Sequence, residues 1–311
     1  MTAPPHHTHH RTTGTTEARR KDTDMAKQGE GRTALVLGGG GVAGIAWETG
    51  LLAGLLERGI DVSNTDVVVG TSAGSVVGTV LRSGALQSTY ESLLEPPSYD
   101  LAGVEGLDLE PLLAAGAAAA QSTGTEEQAR SIIGRVAARA HTPETDDQAV
   151  TRFERLLPTT EWPAGELRVT AVDALDGTFR VLDSTSGVPL ARAVAASCAV
   201  PGVYPATTVD GRLLMDGGMR SSTNADVAAD CDRVLIVACG PELAVSPLGP
   251  TLSVAAEALR ATAEVLVIVA DAESTAAFGT NPLLPESSTA SALAGFAQAA
   301  DVAERVRAFW R

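Results

Sequence analysis

The chain of 311 residues carries 38 acidic against 23 basic side chains, a net charge of −15, and this excess of carboxylates sets nucleic acid aside as a partner. With 44% hydrophobic and 4% aromatic residues it can bury a sizeable aliphatic core, yet no apolar run reaches the length of a membrane span. No basic cluster or basic amphipathic helix offers strong docking on anionic lipid, so any membrane contact is expected to be peripheral.

Residues 1–32 are rich in Thr, His, Pro and charge and read as a disordered tail that lacks the apolar region of a signal peptide. They hold 6 of the basic and 4 of the acidic residues, so the remainder carries −17. His6, His7, His9 and His10 lie there without the fixed geometry a metal ion needs, and Met25 is a second candidate start. Residues 33–37 form a short apolar strand that runs into Gly38-Gly39-Gly40-Gly41-Val42-Ala43-Gly44, with a helix expected from about Ile45 to Arg58. The next strand, Asp66 to Val69, completes a right-handed βαβ unit and hence a parallel sheet. It stops at Gly70-Thr71-Ser72-Ala73-Gly74, and a helix continues through Val76, Val77, Val80 and Leu81. Such a Gly-x-Ser-x-Gly between strand and helix has the form of a nucleophile elbow, with Gly70 and Gly74 where a Cβ has no room; the same pattern also fits a plain tight turn.

Residues 87–160 are helical and loose, and read as a cap or insertion. Strands follow at Glu166 to Ala171 and Phe179 to Leu182, joined at Asp176-Gly177. A helix from Pro189 to Val200 ends at Pro201-Gly202. Thr207 to Val209 and Arg212 to Met215 pair about Asp210-Gly211, and the second of them meets Asp216-Gly217-Gly218. A strand at Arg233 to Ala238, a helix near Leu252 to Ala261, a strand near Val265 to Val269 and a helix near Ser288 to Trp310 complete one α/β domain over 33–311. Cys198, Cys231 and Cys239 are odd in number and lack metal-ligand spacing, which suits a reducing, cytoplasmic compartment and small core residues. Cys231 and Cys239 flank one strand, too far apart to bond.

Gly39-x-Gly41-x-x-Gly44 satisfies the dinucleotide fingerprint, but the second strand ends in Gly70-Thr71-Ser72 where that fold wants an acidic residue for the ribose. A phosphate-binding P-loop needs a lysine, and none occurs beyond Lys27. Nucleotide binding is thus a minor reading, and no cofactor is expected. If Ser72 is a nucleophile it needs a base. His141, the one histidine beyond the tail, sits in a polar, Pro-interrupted loop. Lysine is absent and no metal ligands cluster, which leaves a carboxylate. Asp216 is the best placed, because it follows an apolar strand and precedes two glycines that let the backbone turn away. Asp210 and Asp176 are better read as turn formers.

Three motifs in this order resemble the patatin-like phospholipase family over most of the chain beyond the tail. Gly38 to Gly44 is similar to its oxyanion loop, Gly70 to Gly74 to its nucleophile elbow and Asp216-Gly217-Gly218 to its catalytic Asp-Gly. Pro201 and Pro205 after an Ala/Ser-rich helix also look like it. The resemblance implies a three-layer α/β fold, with a mostly parallel central sheet flanked by helices and a helical cap insertion. It further implies a Ser72–Asp216 dyad acting on an acyl lipid or ester, with Gly39, Gly40 and Gly41 donating to the oxyanion. To serve as a base, Asp216 would have to be buried, so that its pKa rises, or held so close to Ser72 that the proton moves only as the oxyanion forms. Asn224 would hold the Asp216 loop, or else cap the helix at Ala225.

Two departures bear on substrate. Gly38 stands where the family often has Asp, and Ala43 where it has a basic residue, with no replacement charge nearby, so the pocket is expected to lack a fixed cation. A neutral acyl ester, lysophospholipid or thioester is then as well suited as a membrane phospholipid. A catalytically silent lipid-binding protein and an acyltransferase stay open as alternatives.

Overall fold

The computed structural model describes residues 31–95, 110–242 and 244–310. Residues 1–30 of the expected tail, with His6, His7, His9 and His10, and residues 96–109 of the expected cap lie outside them.

β1 (Thr33–Leu37) is apolar after its first residue, and its alternation divides the core between two faces. Leu35 and Leu37 enter one cluster with Trp47 and Leu51, whereas Ala34 and Val36 enter another with Ala255 and Leu259. Successive strand side chains point to opposite faces, so a strand apolar on both must be covered on both. α1 (Gly41–Glu57) covers the first face and leads to β2 (Val67–Thr71), where Val68 joins the first cluster and Val67 and Val69 the second. α2 (Ala73–Arg82) and α3 (Leu86–Leu93) extend the first cover. α1 starts at Gly41 rather than near Ile45. The Gly40 carbonyl accepts the Gly44 N–H at 2.9 Å and Gly41 takes φ +64°, so the first turn forms inside the glycine run.

α4 (Glu110–Ala120), α5 (Glu126–Ala137) and α6 (Asp146–Leu156) form the described part of the region expected as a cap. α5 and α6 each open in a capping box, Thr125 with Gln128 and Thr145 with Gln148, which satisfies amides that a helix start otherwise leaves unpaired. β3 (Glu166–Asp173) and β4 (Phe179–Leu182) make the expected hairpin, α7 (Leu190–Ser197) follows, and β5 (Thr207–Val209) and β6 (Arg212–Asp216) make the second hairpin. β7 (Arg233–Ala238), α8 (Leu252–Arg260), β8 (Glu264–Val269), α9 (Ala272–Ala277) and α10 (Ser288–Phe309) complete the described elements of regular α and β type. The sequence reading passes over α9, although Asp271 caps it by accepting the Ser274 amide at 2.7 Å.

The strand order is β5-β6-β3-β2-β1-β7-β8, with β4 also paired to β3. β3, β2, β1, β7 and β8 run parallel, while β4, β5 and β6 are antiparallel to their partners. α1, α2 and α10 pack on one face of this mostly parallel sheet and α8 on the other, the three-layer arrangement expected. The register brings two distant residues level. Thr71 of β2 pairs with Thr170 of β3, and the next β3 residue, Ala171, pairs with Asp216 of β6. Ser72 leaves β2 at the same level, beside Asp216.

Candidate active site

Ser72 lies between β2 and α2 with φ +51° and ψ −116°, a strained conformation for a residue with a Cβ. Its amide donates to Ser197 Oγ at 2.9 Å, and its carbonyl accepts from the Ser75 amide at 2.9 Å and from Ser75 Oγ at 2.6 Å. These bonds hold the strained residue in place. The flanking glycines are sterically required: a Cβ at Gly70 would lie 2.6 Å from the Gly74 carbonyl oxygen, and one at Gly74 would collide with the Leu37 carbonyl. The sharp turn so forced points Ser72 into the space above the sheet edge.

Asp216, at the end of β6, is 2% exposed. Its amide donates to the Ala199 carbonyl at 3.0 Å, and its Oδ1 accepts the Gly218 N–H at 2.7 Å. Burial pushes the carboxyl up to about 6, against hydrogen bonds from the Ser72 hydroxyl and the Gly218 amide that favour the ionised form. Asn224 is fully buried with φ +48°. Its Nδ2 lies 2.8 Å from the Ser221 carbonyl, 3.1 Å from the Gly217 carbonyl and 3.1 Å from Thr71 Oγ1, while its Oδ1 accepts from Arg220 at 2.9 Å. The side chain makes no cap hydrogen bond to the short helical turn at Ala225, so of the two readings of Asn224 it is the loop clamp that the geometry matches. Gly217 packs against Thr170, where a Cβ would meet the Thr170 carbonyl oxygen at 2.6 Å.

The glycine loop stands beside Ser72. The Gly38 carbonyl accepts the Gly74 amide at 2.9 Å, and a Cβ at Gly39 would be 3.5 Å from that of Ser72. The Gly39 amide, expected as an oxyanion donor, instead donates to the Ser222 carbonyl at 2.7 Å. This corrects the expectation: Gly39 ties the glycine loop to the loop after Asp216, because Ser222 follows that aspartate closely and β7 brings both loops to one edge. Gly40 and Gly41 have no backbone acceptor for their amides among the described residues, and they stand at the N-terminus of α1, where N–H groups point outward. Behind them, the fully buried Glu48 carboxyl is held well above the usual carboxylate range by desolvation and faces the Cys239 thiol.

Ser72 opens on a cavity of about 620 Å³ whose wall includes Ile45, Val76, Val80, Leu93 and Phe153. Cys198 lies on the same wall rather than wholly in the core, and burial together with the Asp216 carboxylate pushes its thiol up to about 12. All three cysteines are free. Arg152 and Arg155 of α6 also line the cavity, which corrects the expectation that no charge replaces the one missing at Ala43. His141 belongs to a different cavity with Arg135 and Arg139, away from Ser72. Among the described residues no cluster of His, Cys, Asp and Glu could hold a metal ion, and no helix is long and apolar enough to cross a membrane. Ser197, Arg152 and Arg155 are the site neighbours that sequence reasoning missed, since none stands in a motif.

A buried carboxylate beside a serine on a strained elbow, with helix-start amides nearby, can accept the serine proton as the oxygen attacks a carbonyl. The model of the patatin-like phospholipase family matches residues 35–229, a span from β1 to beyond Asn224. Uncharacterised NTE family proteins of Mycobacterium bovis and Mycobacterium tuberculosis are 34% identical over 200 residues, 60% of this chain and 43% of theirs. The chain thus spans less than half the length of these relatives. Among solved structures, VipD from Legionella pneumophila covers 89% of this chain and 67% of its own at 15% identity and TM-score 0.43. ExoU covers 88% and 53% at 18% identity and TM-score 0.37. With the family match enclosing the elbow, the glycine loop and the Asp-Gly-Gly turn in one continuous span, the chain belongs to the patatin-like phospholipase family.

Proposed function

We propose that the protein is a serine acyl hydrolase of lipid-like esters, with Ser72 as nucleophile and Asp216 as general base. The observation that carries this reading is the contact of Ser72, on its strained turn, with a buried carboxyl of pKa about 6. Ser72 Oγ attacks the ester carbonyl while its proton passes to Asp216, and the amides of Gly40 and Gly41 receive the oxyanion. The tetrahedral intermediate collapses, the leaving alcohol takes the proton from Asp216, and an acyl-Ser72 remains. Water, deprotonated by the same carboxylate, then releases the fatty acid and restores Ser72. A base near pKa 6 is ionised at neutral pH yet basic enough to share the proton in the transition state. The apolar wall of Ile45, Val76 and Val80 suits an acyl chain.

The test is active-site labelling with a fluorophosphonate and hydrolysis of an activated fatty acyl ester. Wild type is expected to label and to turn over. Ser72→Ala is expected to lose both, and Asp216→Asn to lose at least about a thousandfold in kcat. Labelling of Ser72→Ala at the wild-type level would refute the assignment.

A further inference from the structure

Building on the hydrolase reading, we infer that Glu48 is a positioning residue for the glycine loop, acting through Cys239, whose sulfur it holds against Gly40 and Gly44. Glu48 is not part of the wall of the Ser72 cavity, so its effect on the reaction passes through the loop rather than through contact with substrate.

The geometry is a packed line from the interior to the loop. Glu48 lies four residues after Gly44 on α1, and hence on the same face of that helix. Cys239, the residue after β7, meets that face with its sulfur. A Cβ at Gly40 would lie 2.5 Å from Cys239 Sγ and one at Gly44 would lie 3.0 Å from it, so the sulfur fills the notch that the two absent side chains leave. The Cys239 thiol in turn donates to Glu48 Oε1 at 3.9 Å. Gly40 is therefore backed by a sulfur whose direction the carboxyl sets. Because the Gly40 carbonyl accepts the Gly44 amide at 2.9 Å, a shift of Gly40 also moves the start of α1 and the Gly41 amide.

Stability gives no reason for a carboxyl in this place. Glu48 is fully buried, makes no ion pair among the described residues, and its Oε2 has no hydrogen-bond partner. An unpartnered oxygen in the interior costs free energy that an apolar side chain of similar size would not. Desolvation holds the carboxyl well above the usual carboxylate range and so keeps it neutral, which leaves no negative charge behind amides that are to receive an oxyanion. What the side chain supplies is an acceptor at a fixed point, and that acceptor orients the thiol beneath the loop.

The experiment measures kcat, KM and melting temperature of the full chain with an activated fatty acyl ester. Glu48→Leu removes the acceptor and keeps the bulk: its melting temperature is expected at or above that of wild type, while kcat falls at least about tenfold and KM changes less than about twofold. Glu48→Gln, which keeps an acceptor oxygen, should recover most of that loss. Cys239→Ala should lower kcat by itself, and the double variant Glu48→Leu/Cys239→Ala should lose no more than the worse single variant, since both act on one contact. Glu57→Gln, an exposed carboxyl at the end of the same helix, should leave kcat unchanged. A wild-type kcat in Glu48→Leu or in Cys239→Ala overturns the role of Glu48 alone, as do losses that multiply in the double variant. A lower melting temperature of Glu48→Leu with kcat intact marks Glu48 as merely structural and overturns it equally. No turnover by wild type, with no fluorophosphonate labelling, overturns the hydrolase reading together with it.

Discussion

The Asn224 side-chain amide reaches the Gly217 carbonyl at 3.1 Å and Thr71 Oγ1 at 3.1 Å, so one buried side chain ties the residue after Asp216 to the residue before Ser72. These positions are distant in the chain and adjacent in the sheet, and the clamp sets their separation. Asn224→Ala leaves Thr71, Gly217 and Ser221 short of a partner in the interior. Stability is expected to fall by about 2–4 kcal/mol in urea unfolding, with kcat reduced far more than KM is changed.

Strain at Ser72 separates two inactive variants. Alanine keeps a Cβ at φ +51°, whereas glycine is at ease there. Ser72→Gly is expected to be more stable than Ser72→Ala by about 1 kcal/mol, since relief of strain outweighs the added freedom of the unfolded chain. Equal midpoints and slopes in denaturant would show that the turn stores no strain.

Asp216 couples activity and stability to pH in opposite senses. Its folded pKa of about 6 exceeds the ordinary aspartate value of 3.8, so between these limits the folded state holds a proton that the unfolded state has released. Stability from this group is full below the lower limit and falls by up to about 3 kcal/mol as pH rises to the upper one. Over the same interval kcat/KM should rise as the base ionises. Urea unfolding of wild type and Asp216→Asn at pH 4.5 and 7.5 checks the first: wild type should lose stability relative to the variant.

Cys198 lines the cavity yet should be inert. With its thiol pushed up to about 12, the thiolate fraction at pH 8 is on the order of one in ten thousand. Iodoacetamide is expected to leave Cys198 unmodified in the native protein and to label it on unfolding, as read by peptide mass spectrometry.

Gly40 has no room for a side chain, because a Cβ there would lie 2.5 Å from Cys239 Sγ and 2.8 Å from the Gly44 Cα. Gly40→Ala must shift the loop. We expect a loss of about a hundredfold or more in kcat toward a soluble ester, as for removal of one oxyanion donor, while substrate affinity changes less.

What the sequence determined by itself is the part written in local sterics and period. An apolar alternation such as Ala34 to Leu37 requires cover on two faces, and Gly70 and Gly74 around Ser72 require a turn too tight for a Cβ. The Asp-Gly-Gly turn after β6 is of the same kind, and so is the helix start at Thr145, where a threonine and a glutamine satisfy each other's amides. The tertiary structure alone decided which groups meet around these turns. Ser197 receives the Ser72 amide from 125 residues away, Gly39 loses its free amide to Ser222, and α6 brings Arg152 and Arg155 to the cavity wall. Each of these depends on how parallel strands and a packed helix align across the sheet, a long-range register that no local pattern encodes. A net charge is likewise a sum over the chain, whereas recognition at Ser72 depends on the two charges that the fold sets beside it.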